Sequence, residues 1–61
     1  MELEVLLSLS EADIIMMGYN ALKSRNRDKI VDVLYDIATW HRHHGKPKNT
    51  EVILEDLEDA M

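Results

Sequence analysis

His41, Arg42, His43 and His44 are the residues of this chain with the most chemistry open to them. On a helix, His41 and His44 stand about one turn apart, and two neighbouring imidazoles can share a metal ion. Zinc takes three or four ligands, and Asp32 and Asp36 lie too far toward the other end of the same segment to complete a set. The group therefore reads as the basic end of a helix, where cations favour the negative pole of the macrodipole. No metal site and no cofactor follow from it. Imidazoles titrate near neutral pH, so the patch is charge-switchable. Together with Trp40, Arg42, His43, Lys46 and Lys48 it can grip phosphate or an acidic partner. Trp40 has two uses open to it: stacking on a nucleic-acid base, or anchoring a helix interface.

The second group is Lys23, Arg25, Arg27 and Lys29. Arg27 and Lys29 fall in the first turn of a helix, where the dipole disfavours cations. Backbone amides there, with Arg25, Arg27 and Lys29, form a candidate anion site. A solvated polar turn between two helices accounts for the same residues without any ligand. Covalent catalysis has no support: Ser8, Ser10 and Ser24 lack a nucleophile context, and Gly18 and Gly45 make no phosphate loop. The chain reads as a non-enzyme.

These groups belong to a wider segregation of charge. Residues 1–22 sum to −4, 23–29 to +3, 30–40 to −2, 41–48 to +3 and 49–61 to −5, within a net charge of −5. Such blocks suit recognition of something charged, or of a second copy of the chain.

With 61 residues the chain is one domain, spanning 1–61. A chain this short buries only ~60% of its unfolded surface and is marginal alone. It contains no cysteine, so disulfides and thiolate zinc sites are excluded. Self-association is the remaining staple, and a homodimer is the expectation. A hydrophobic share of 46% argues against an acidic disordered tail. The longest apolar run, Ile14 to Met17, falls far short of a membrane span. Glu2 and Glu4 stand where a signal peptide carries positive charge. The expectation is a cytoplasmic protein with no membrane contact.

The elements that must position these side chains are mostly helical. Ser10 and Asp13 match a capping box, and Leu9 and Ile14 match its hydrophobic staple. A helix therefore starts at residue 11 and ends near Lys23 to Arg25. Ile15, Tyr19 and Leu22 form its stripe, flanked by Ile14, Met17 and Ala21. Gly18 in mid-helix costs about 1 kcal/mol relative to Ala and marks close approach by another helix. Asn26 caps a second helix, which runs to His44 and is stopped by Gly45 and Pro47. Its stripe of Ile30, Val33, Leu34, Ile37 and His41 is widened by Val31, Tyr35 and Ala38, which implies contacts on two sides. A third, shorter helix starts at Asn49 or Thr50, either of which can cap. Thr50 to Leu54 also suits a strand. Residues 2–9 are ambiguous: Leu3, Val5, Leu7 and Leu9 alternate as in a strand, while Leu3, Leu6 and Leu7 fit a helix.

The strand–helix–helix order, with Asn26 and Arg27 opening the second helix, resembles a ribbon-helix-helix DNA-binding dimer. The resemblance implies paired strands that enter the major groove. Here the strand would present Glu2 and Glu4, which phosphates repel, and the overall charge is acidic. It serves as an architectural alternative and carries no family membership.

The fold expected is mainly α: an antiparallel hairpin of residues 11–25 and 27–44, a short C-terminal helix and an N-terminal extended segment, in a small homodimer. Its core would be Leu7, Leu9, Ile14, Ile15, Tyr19, Leu22, Ile30, Val33, Leu34, Ile37, Trp40 and Leu57. The function expected is a small acidic regulator or adaptor, of the size phages and mobile elements encode, that binds a larger protein through helical surfaces. The alternative is a nucleic-acid-binding dimer using segments 23–29 and 41–48.

Overall fold

A computed structural model describes residues 1–61 as four helices: α1 (Leu3–Ser8), α2 (Glu11–Ser24), α3 (Arg27–His43) and α4 (Lys48–Asp59). No strand is present. The chain is mainly α, as expected. It extends 26 × 24 × 15 Å.

α2 begins where the sequence places it. Ser10 is extended, and its hydroxyl accepts from the Asp13 amide at 3.2 Å. Asp13 makes no return bond, so only half of the capping box forms. α2 ends at Ser24 with Arg25 as a left-handed cap, φ 53°. Asn26 then caps α3, its side-chain oxygen accepting from the Lys29 amide at 3.3 Å. α3 closes through Gly45 and Lys46, both left-handed, and the Lys46 amide donates to the His41 carbonyl at 2.9 Å. This is the six-to-one bond of a Schellman motif.

α4 packs on both α2 and α3. Ile14, Ala21, Ile30, Val33, Ile37, Trp40, Ile53 and Leu57 are buried together, with Leu6 closing one side. Most of the two-sided apolar surface of α3 is covered within the chain, by α2, α4 and α1, while Tyr35 is left 70% exposed. Gly18 is the close approach it was expected to be: a Cβ there would collide with Ile53 and stand 3.2 Å from the Ile37 Cδ1.

Three expectations change. Residues 3–8 are helical rather than extended. A strand needs a partner for its backbone groups, and no other strand exists, whereas the helix satisfies its own, beginning with the Leu6 amide on the Glu2 carbonyl at 3.0 Å. Leu6 is buried, while Leu3 and Val5 are exposed. Asn49 and Thr50 do not cap α4, which starts at Lys48 after Pro47 with no side-chain cap. Both side chains are turned onto the Glu11 carboxylate instead, at 3.3 and 3.5 Å. Tyr19 leaves the core, and Leu7, only half-buried, gives way in it to Leu6. Ile14, Gly18 and Ala21 form the buried face of α2, so Tyr19 stands on the opposite side.

Candidate functional site

α2 carries the main candidate surface. Ala12, Ile15, Met16, Tyr19, Asn20 and Lys23 line one shallow apolar depression on its outward face. Met16 is 63% exposed and Tyr19 47%. The inward face accounts for this strip. Gly18 and Ala21 let α4 and α3 approach closely, so the small residues go inside and larger ones are left outside. Sequence periodicity favours the reverse because it weighs apolar side chains by size. The missed signal was the Ile14, Gly18, Ala21 spacing at i, i+4 and i+7, a face on which two small residues follow one large one.

The His group is divided by the structure. His41 is buried where α3 meets α4. Its Nε2 lies 3.1 Å from the Pro47 carbonyl, which can only accept, so Nε2 carries the proton and donates. The Glu51 carboxylate stands 3.9 Å from the same nitrogen. His44 stacks on Trp40 with ring centroids 4.0 Å apart and an interplanar angle of 14°, and its Nδ1 donates to the Trp40 carbonyl at 2.9 Å. His43 alone of the three has no side-chain hydrogen bond and is exposed. His41 and His44 are thus each committed to a different carbonyl group, of Pro47 and of Trp40.

Trp40 is an anchor. It is 3% exposed, and its indole Nε1 donates to the Leu9 carbonyl at 3.0 Å, tying α3 to the end of α1. With His44 stacked on one face and the whole side chain buried, the ring offers no platform for a base.

The remaining candidates are all on the surface. Arg25, Arg27 and Lys29 are exposed at the α2–α3 turn, and Arg42, His43, Lys46 and Lys48 at the α3–α4 turn. α3 separates the two groups by its 17 residues, about 25 Å at the helical rise. They are two patches, not one. Glu55, Asp56, Glu58 and Asp59 are exposed on α4. The His41–Glu51 contact is the only acid–base side-chain pair within 4.0 Å, and no Lys or Arg meets a carboxylate at that distance, so the charge blocks are not neutralised by one another inside the chain.

These features define a compact four-helix chain with an outward apolar strip on α2 and segregated, unpaired surface charge. No protein-family model matches the chain, and no curated protein or solved structure matches it significantly.

Proposed function

We propose that this chain is a small, non-enzymatic regulator or adaptor that binds a larger protein through its helical surfaces. The observation that supports this reading is the outward strip of α2, where Met16 and Tyr19 stand in water beside Ile15 on a regular helix. Apolar side chains gathered on a rigid element are a common form of docking surface, and a preformed helix loses little further entropy on binding. A net charge of −5 favours a partner with a basic surface. Exposed carboxylates on α4 could present phosphate-like charge to a nucleic-acid-binding protein, in which case the chain acts as its inhibitor.

The test is affinity capture of the tagged chain from its native cell, with and without nuclease, read by mass spectrometry. A stoichiometric protein partner that survives nuclease and is lost with Met16→Asp is the expected result. Recovery of nucleic acid alone would overturn the reading in favour of the alternative, a nucleic-acid-binding dimer. That alternative is supported by the exposure of Arg25, Arg27, Lys29, Arg42, Lys46 and Lys48 without acidic partners. It requires two copies to bring like patches together, and its affinity would fall steeply with salt.

A further inference from the structure

We infer that the outward strip of α2 seats a second copy of this chain, with the two α2 helices antiparallel about a two-fold axis. The inference rests on the reading of that strip as a binding surface and names its occupant.

The spacing of the strip is self-complementary. Its positions are 12, 15, 16, 19, 20 and 23. A half-turn midway between Met17 and Gly18 exchanges 12 with 23, 15 with 20, and 16 with 19. The set is therefore its own image under the operation that relates the halves of an isologous antiparallel dimer. Met16 of each copy then lies on the Tyr19 ring of the other, a favourable sulfur–aromatic pairing. The aliphatic stem of Lys23 crosses the small side chain of Ala12, and Ile15 rests on the stem of Asn20.

Charge selects the antiparallel orientation. Glu11 and Asp13 are at the start of α2, and Lys23 and Arg25 at its end. Asp13 and Lys23 lie outside the core, and neither has an oppositely charged neighbour within its own chain. Antiparallel packing sets Lys23 of one copy beside Asp13 of the other, twice per dimer. Parallel packing sets acid on acid and base on base, which is unfavourable. The strip is about 16 Å long on a helix about 10 Å across. An interface of this footprint falls below the about 1,200 Å² at which stable specific interfaces begin, in the weak and transient class, so the dimer forms only as concentration is raised.

Sedimentation equilibrium of the full chain from micromolar to millimolar concentration tests this. The mass should rise with concentration toward twice the 7.1 kDa of one chain. Met16→Asp should hold it at the single-chain mass with an unchanged helical spectrum. Asp13→Lys should weaken the dimer, and Asp13→Lys combined with Lys23→Asp should restore it. Under oxidation, chains carrying Ala12→Cys should form disulfides with chains carrying Lys23→Cys faster than with themselves. A single-chain mass throughout, a dimer that persists in Met16→Asp, or crosslinks that favour position 12 with itself overturns the inference. The purified chain reports self-association and the cellular capture reports a foreign partner, so the two readings fail separately. A monomer that still loses its captured partner with Met16→Asp overturns the dimer alone. A dimer with no captured protein overturns the regulator alone.

Discussion

Gly18 sits where α4 crosses α2, and two effects compete at this residue. Replacing it with alanine gains about 1 kcal/mol of helix propensity. The added methyl collides with the Ile53 side chain and comes within 3.2 Å of Ile37, and both isoleucines are at most 1% exposed. A full core has nowhere to move them, and overpacking costs roughly 1–3 kcal/mol. The collision should win, because it pushes on both α3 and α4. Gly18→Ala is expected to destabilise the chain by up to about 2 kcal/mol in urea unfolding, the overpacking cost less the propensity gained. A stabilised variant would show that α4 is free to shift away from α2. Arg25 presents the opposite case. It takes a left-handed conformation, φ 53°, where glycine fits without strain, and this costs an arginine about 1–2 kcal/mol.

At the scale of elements, legibility followed local chemistry. The start of α2 at Ser10 and of α3 at Asn26 were readable because each depends on one side chain meeting an amide three residues on. Gly18 was readable as a crossing point because a glycine in mid-helix costs stability, and close packing against it returns that cost. What escaped depends on groups distant in sequence. Asn49 and Thr50 look like caps, but they are drawn to Glu11, 38 and 39 residues away. The facing of α2 was misjudged for Tyr19 because the helices that bury its other side lie beyond Arg25. The charge patches and Trp40 were readable as residues of interest, yet only the fold separates a buried anchor from exposed cations. α1 was the least legible element. Six residues are too few to hold a helix in water unaided, and its apolar pattern supports either state. Tertiary contact decides it: Leu6 is buried, and the Leu9 carbonyl accepts from Trp40 at 3.0 Å. Leu6→Ala should therefore release α1 as a unit. We expect a loss of about 2–4 kcal/mol and faster hydrogen exchange at residues 6–9, with the protection of α2 and α3 relative to one another unchanged. Uniform loss of protection across all four helices would mean that α1 is part of a single cooperative core.

The whole molecule exposes 4267 Å². A compact monomer of this mass is expected to expose about 4,100 Å², so the single chain is closed to the normal degree and leaves no gaping face. Only about 60% of the unfolded surface is removed, however, which leaves a small margin of stability. Association adds to that margin by mass action. For a dimer that unfolds to free chains, each tenfold rise in concentration stabilises the folded state by about 1.4 kcal/mol per dimer, or about half of that per chain. A domain of this size shifts its melting temperature by roughly 4–8 °C per kcal/mol. The expected signature is thus an increase in Tm of about 3–6 °C per decade of protein concentration, once the concentration exceeds the dimer dissociation constant. Met16→Asp should flatten that dependence without lowering the Tm of the dilute chain, because Met16 is exposed within the monomer and lies outside its core. Differential scanning calorimetry on both proteins gives the comparison directly. A wild-type Tm that is independent of concentration up to the millimolar range would mean that four helices around Gly18 and Ile53 are sufficient alone, and that the strip on α2 is kept for a different protein.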